Sequence, residues 1–282
     1  MREGTRIANA LAERGTATAR DVATRLSRSG NGHRLNGRKF YSTGALFAHW
    51  LAVVALDEKD RRVVAFIPAD APGITLIDDW SGFGQRTTGS GTTVLADVPV
   101  AAENVVPLHL VFDTPTRMGP FAQVLHAAID VGAARAALAA TIEVVRTRAR
   151  PWADSGVTRA ADDPYTIAAI GDVRVRLAAA EALLRRAAQA VEAVREPAGA
   201  EQVAVASLAV AEAKVAATEA ALLAGSKLIE LGGSSATLAE HNLDRHWRDA
   251  RTHTVHDPVR WKLHAIGRHA LTGTLPPRSG TL

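Results

Sequence analysis

Glu201-Gln202-Val203-Ala204-Val205-Ala206-Ser207-Leu208-Ala209-Val210-Ala211-Glu212-Ala213-Lys214 opens an alanine-rich run that continues to Leu231 and meets no proline. Such a run predicts one long helix, and the Gly232-Gly233 pair that follows supplies its C-cap. Upstream, Pro197-Ala198-Gly199 stops a second helix, which begins at Asp163-Pro164 with the proline at a tolerated first-turn position. Further upstream, Phe121 to Arg148 is Ala-rich with apolar residues at helical spacing. Downstream, a shorter helix is expected over about Ala236 to Arg251 and a last one after Pro258. Long helices with short connections predict an antiparallel four-helix bundle. The abundant alanine lets helices approach closely and suits contact between subunits. It is equally the composition that a GC-rich gene produces.

The other half has a different rhythm. From about Ala8 to about Val106 the chain reads as short strands punctuated by Gly, Pro and Asn. Asn31-Gly32 and Asn36-Gly37 read as turns flanking a short strand, His33-Arg34-Leu35. Trp50 to Leu56 and Val63 to Ile67 form apolar runs either side of a charged turn. Asp70-Ala71-Pro72-Gly73 turns the chain into Ile74-Thr75-Leu76-Ile77, and Thr92 to Leu95 and Val98-Pro99-Val100 read as the last strands. The expected class is therefore α+β, an antiparallel β-sandwich or barrel over 1–115 followed by a helical bundle over 116–282.

Composition narrows the function. The 282 residues are 47% hydrophobic and 22% charged, an ordinary globular balance. Without cysteine there is neither a disulfide framework nor a thiolate metal site. No apolar run is long enough to span a bilayer, and Met1-Arg2-Glu3-Gly4-Thr5 lacks the apolar core of a signal peptide. A cytoplasmic protein with no membrane association is the expectation. The net charge is +4, but arginines are interleaved with acids, as in Arg185-Arg186 near Glu181 and Glu192. Without a basic stripe, nucleic acid is not an expected partner.

Four motifs, in order, carry a resemblance. Ala8-Asn9-Ala10-Leu11-Ala12-Glu13-Arg14-Gly15-Thr16 resembles the loop that opens the β domain of the acyl-CoA dehydrogenase superfamily. Leu35-Asn36-Gly37-Arg38-Lys39-Phe40-Tyr41-Ser42-Thr43-Gly44 resembles its strand beside the flavin ring. Gly82-Phe83-Gly84-Gln85-Arg86-Thr87-Thr88-Gly89-Ser90-Gly91 and Trp247-Arg248-Asp249-Ala250-Arg251 resemble its two later signatures. More narrowly, Phe40 to Trp50, Asp79-Trp80, Arg150-Pro151-Trp152 and Arg251 to Pro258 resemble the SfnB-type sulfur-acquisition oxidoreductases and the dibenzothiophene monooxygenases. That resemblance implies a flavin-dependent monooxygenase. It would take reduced FMN from a separate flavin reductase, act on a small organosulfur compound and assemble as a homotetramer.

The resemblance also distributes roles. His253 and His256 stand where a flavin oxygenase would use imidazoles as proton donors and acceptors near neutral pH; metal ligands, or histidines at a subunit contact, are the other readings of this pair. No metal is assigned. Asn9, Tyr41 and Thr43 fall around the flavin ring, with Trp80 either bordering the pocket or simply in the core. Arg150 would reach a phosphate, unless it only compensates a helix C-terminus. A dehydrogenase needs a carboxylate base, and its place is taken here by Asp257, one methylene shorter than glutamate and followed by Pro258. Ile229 replaces a glutamine that holds the adenosine half of FAD, which favours FMN, whereas Ser235 replaces an arginine of close relatives.

The superfamily opens with a helical domain that this sequence would lack, on the order of 100 residues, through a late start codon or a truncated gene. Three functions are therefore weighed: the FMN-dependent monooxygenase, an acyl-CoA dehydrogenase using FAD with Asp257 as base, and a non-catalytic remnant that only oligomerises.

Overall fold

A computed structural model describes residues 4–18 and 20–282; Met1–Glu3, part of the N-terminal stretch read above for a signal peptide, and Ala19 lie outside the described residues. Two units emerge. One holds the chain up to Gly82 together with Arg86–Asp113, and the other holds Phe83–Gln85 together with Thr114–Leu282.

The first unit is one mixed sheet. Its strands are β1 (Ile7–Ala10), β2 (Arg25–Ser29), β3 (Gly32–Lys39), β4 (Trp50–Leu56), β5 (Arg62–Pro68), β6 (Ile74–Ile77), β7 (Thr92–Val100) and β8 (Val105–Val106). They run in the order β6-β7-β3-β2-β4-β5-β8, with β1 added beside β4. Most pairings are antiparallel, but β1 and β2 each meet β4 in parallel. Alternation explains much of the core: Val63, Ala65 and Ile67 of β5 are buried with Leu51 and Val53 of β4, while Val64 and Phe66 between the β5 positions are only partly buried.

Asn36-Gly37 is a bulge within β3 rather than a turn, because the ladder to β7 continues on both sides of it. Gly37 takes φ +157, and a Cβ there would lie 2.4 Å from Thr24 Oγ1. The Asn36 side chain accepts a hydrogen bond from Asp97 N at 2.8 Å, which fastens the bulge to β7. Thr92–Leu95 and Val98–Val100 are one continuous strand. Inside this unit Lys39 is fully buried and donates to the buried Glu13 carboxylate at 2.5 Å. Burial pushes the lysine down. Burial would raise Glu13, but the bond from Lys39 and those from Thr24 and Ala23 hold it below the usual carboxylate range.

The second unit contains five helices among the described residues: α1 (Met118–Thr147), α2 (Pro164–Ala193), α3 (Ala200–Gly232), α4 (Arg245–Thr254) and α5 (Val259–Thr272). Asp163 caps α2, its carboxylate accepting from Tyr165 N and Thr166 N. Gly233, at φ +69, ends α3. Ala134, Ala137, Ala217, Ala220, Ala221 and Ala224 are buried in the core of α1 and α3, where small side chains permit close packing. The helix expected from Ala236 starts instead at Arg245, because two 3₁₀ turns and a left-handed Asn242 intervene. Phe83–Gln85 joins this unit through α4. Gln85 N donates to Asp249, Arg248 donates to Phe83 O, and Phe83 stacks on Trp247 at 6.0 Å. Gly84 is required there, since a Cβ would sit 2.1 Å from Arg248 O. No helix among the described residues is long and apolar enough to cross a membrane.

Candidate active site

Three imidazoles meet in the helical unit. His126 comes from α1, His253 from the last turn of α4, and His256 from just beyond it, so the pair expected to share a helical face is instead completed by a third ring. His126 Nδ1 lies 3.1 Å from His253 Nε2, and its ring centroid is 4.4 Å from that of His256. His253 and His256 are 6.5 Å apart, with His126 at the bend between them.

A carboxylate stands at each end. On the inner side, Asp130 Oδ1 is 2.5 Å from His253 Nδ1, while its Oδ2 accepts from Lys214 Nζ at 2.5 Å and from Thr218 at 3.0 Å. Asp130 and Lys214 are fully buried, and His253 nearly so. Burial opposes ionisation of Asp130, yet the bonds from His253 and Lys214 hold its carboxyl below the ordinary range. At the outer end, Asp257 Oδ2 is 3.1 Å from His256 Nδ1 and accepts from Gln123 Nε2 at 2.9 Å. Burial alone would raise Asp257; His256 and Gln123 prevail and take it to about 2. Gln123 is itself held by the buried Lys262, and both donate to carbonyls of the C-terminal tail, at Gly280 and Thr281. His126 is pushed down to about 4, by burial first and then by the neighbouring His256 and His253.

The cluster is therefore solvent-facing at His256, whose side chain is 57% exposed, and dry at Asp130. Such an arrangement can accept a proton at one edge and stabilise it toward the interior. His126, His256 and Asp257 also each bring one ligand atom within 4.8 Å of the others, a spacing that could hold a metal ion. The reading of the sequence found His253, His256 and Asp257 but missed His126, Asp130 and Lys214. The signal was present: His126 and Asp130, and Lys214 and Thr218, are spaced one helical turn apart.

The residues expected around a flavin ring lie in the sheet unit. Tyr41 turns the chain at φ +54, and Trp80 meets its ring edge-on at 5.9 Å. Thr43 is exposed, with its hydroxyl 2.9 Å from Ser90 Oγ, while the buried Ser42 Oγ has no hydrogen-bond partner in the chain. Asn9 is exposed on β1, one residue from the buried Ala8, whose methyl group would meet any Cβ at Gly44 at 3.7 Å. Arg14 lies over the Phe40 and Tyr41 rings.

Arg150 lies beyond the end of α1 and lines a cleft of about 900 Å³ in the helical unit, with Arg148, Trp152, Gly233 and Ser235. Two guanidinium groups beside backbone and hydroxyl donors suit an anion. Ile229 packs against an apolar cluster that includes Val144 and Leu228, and offers no polar contact.

Residues 8–98 match the acyl-CoA dehydrogenase middle domain and residues 124–261 the acyl-CoA dehydrogenase C-terminal domain. The dibenzothiophene monooxygenase of Mycolicibacterium goodii is 34% identical over 87% of this chain. A probable FMNH2-dependent monooxygenase, SfnC, of Pseudomonas putida is 34% identical over 86%. The chain spans 63% and 64% of the length of these two proteins. The crystal structure of FMN-bound TdsC from Paenibacillus sp. A11-2 superposes with a TM-score of 0.92 at 30% identity, covering 98% of this chain and 73% of that one. With both of its domain types matched and a solved relative aligned along nearly its whole length, the chain belongs to the acyl-CoA dehydrogenase superfamily.

Proposed function

We propose that this chain serves a reduced-FMN-dependent monooxygenase that transfers oxygen to a small organosulfur compound in sulfur acquisition. The observation that carries the reading is the imidazole cluster at the place where a dehydrogenase would keep its base. Asp257, the carboxylate at the sequence position of that base, is buried, doubly hydrogen-bonded and held near 2, which makes it a poor proton acceptor at neutral pH. Relatives whose names specify dibenzothiophene oxygenation and FMNH2 dependence support the same choice.

The residues present fit a flavin: an orphaned buried hydroxyl at Ser42 beside the exposed Thr43, and two arginines in an open cleft. FMN rather than FAD is favoured by the apolar packing of Ile229. Asn9, Tyr41, Thr43 and Trp80 would contact the isoalloxazine, and Arg150 would hold the phosphate. Bound reduced FMN supplies the electrons that activate dioxygen. The chain's own part is to exclude water, orient the sulfur compound and hold a proton. His256, at the wet edge, exchanges that proton, and His253, nearly buried, would hold it. A separate flavin reductase would be the source of FMNH2, and the Ala-rich helices would form a homotetramer in the cytoplasm.

An anaerobic titration with FMN and FAD, oxidised and reduced, tests the reading. Reduced FMN is expected to bind at least about tenfold more tightly than FAD, equivalent to about 1.4 kcal/mol. FAD binding with bleaching by an acyl-CoA would establish the dehydrogenase instead, and binding of neither flavin would make the chain a non-catalytic remnant.

A further inference from the structure

The buried pair Asp130–Lys214 has no place in flavin binding, yet it sits under the imidazole cluster. We infer that Asp130 and Lys214 are positioning residues that fix the tautomers of His253 and His126 and turn the cluster into an inward proton relay. The catalytic half of this inference rests on the flavin reading above; the tautomer half does not.

The tautomers follow from donor and acceptor bookkeeping along the chain of contacts. An ionised carboxylate only accepts, so Asp130 Oδ1 requires the proton on His253 Nδ1. The neutral ring then has a lone pair on Nε2, which can only accept. His126 Nδ1, 3.1 Å away, must donate to it. His126 Nε2 is therefore left with a lone pair. At the other end, Asp257 likewise requires the proton on His256 Nδ1 and leaves a lone pair on His256 Nε2. The resting protons of His126 and His253 point toward Asp130, that of His256 points to Asp257, and His126 and His256 each offer an acceptor at Nε2.

A proton that arrives at His126 Nε2 forms an N–H bond there. It breaks the bond at His126 Nδ1 and forms a new one at His253 Nε2. The product is an imidazolium at His253, clamped between the Asp130 carboxylate and His126. Solvent or His256 supplies the proton, and reversing the steps returns it. His126 cannot keep the charge itself, being half-buried beside two other rings that hold it down. His253 meets Asp130 and His126 from α1 and the His256 ring from the segment after α4; behind them stand Lys214 and Thr218 of α3, bonded to Asp130, and Asp257, bonded to His256.

Lys214 sets how readily His253 charges. Its ammonium compensates Asp130, so the carboxylate is ionised without forcing His253 to stay cationic. Removing one member of the pair should move His253 in opposite directions. Lys214→Met leaves Asp130 uncompensated and stabilises the imidazolium. Asp130→Asn removes the negative charge while keeping an acceptor oxygen, and so destabilises the imidazolium. A merely structural role would move both variants the same way.

Two experiments test this. Nitrogen NMR of histidine-labelled, flavin-free protein at pH 7.5, assigned against His253→Asn, reads the tautomer directly. A neutral Nδ1–H ring at His253 is expected, and an Nε2–H ring or a resting imidazolium overturns the inference. Because no flavin is present and the tautomer is read in the wild-type chain, with a variant used only for assignment, this outcome is independent of the flavin reading. The second is the acid limb of the pH profile for oxygenation with reduced FMN. It should shift up in Lys214→Met and down in Asp130→Asn, each by a unit or so, with reduced-FMN affinity changed less than about twofold and turnover in Asp130→Asn lower by about 10²-fold. Shifts in the same direction, or none, overturn the relay; absence of oxygenation in the wild-type chain fails the flavin reading and leaves the tautomer result standing.

Discussion

His126 Nδ1 stands 3.1 Å from His253 Nε2, so a ring from the first helix of the bundle completes the histidine pair at the end of the fourth. The contact makes His253 an interior residue with both nitrogens engaged and leaves His256 as the wet edge of the cluster.

The two histidines should therefore fail differently. His256→Ala is expected to lower oxygenated product by about 10²-fold while leaving the unfolding midpoint nearly unchanged. His253→Ala should lower product as well and also destabilise the fold by about 1–3 kcal/mol, because Asp130 loses a buried donor. Product assays beside urea unfolding of both variants check this. Equal stability losses would contradict it.

Stability should fall in mild acid because of His126. Its folded value, about 4, lies below the unfolded 6.5, so the unfolded chain binds the proton more readily. The contribution is complete above pH 6.5 and is lost as pH falls toward 4, on the order of 3 kcal/mol at most. Asp257 adds a further loss between 3.8 and about 2. Urea unfolding at pH 7.5 and 4.5 should show the drop in the wild type and a smaller one in His126→Gln.

The bulge and the histidine cluster show where the sequence was legible and where it was not. Strand alternation, the Pro164 start and the Gly233 stop follow from local chemistry and are visible in one dimension. Asn36-Gly37 misled because the dipeptide suits a turn and a bulge equally, and only the ladder to β7 distinguishes them. The break before α4 depends on Asn242 adopting a left-handed conformation, which nothing in the spacing of its neighbours requires. His126 and Asp130 share a helical face, but that spacing alone does not single them out, because they matter through residues 84 to 127 positions away. Lys214 could have been found. It falls on the apolar stripe Val203, Val210, Ala217, Ala221, Ala224, Leu228, where a charge needs a partner.

In the sheet unit, Lys39→Met should destabilise by about 3–5 kcal/mol, since it strands the buried Glu13 carboxylate. Adding Glu13→Gln should recover much of that loss. Urea unfolding followed by the sheet signal in circular dichroism checks both, and a double variant as unstable as the single one would show that packing, not charge, sets the cost.

Arg150→Ala should weaken reduced-FMN binding by about 10- to 150-fold, the range for a hydrogen bond to a charged group. Arg150→Lys should restore only part of it, because an ammonium lacks the planar fork. Equilibrium titration of the three proteins decides the matter. Unchanged affinity would remove Arg150 from the phosphate site.

The most direct test of the oxygenase reading is to mix the protein with chemically reduced FMN, a small thioether and ¹⁸O₂, and to weigh the product. The account predicts a sulfoxide carrying one labelled oxygen from the wild-type chain, and in His256→Ala reduced flavin spent mainly on hydrogen peroxide. Hydrogen peroxide alone from both proteins, with no labelled sulfoxide, would contradict it.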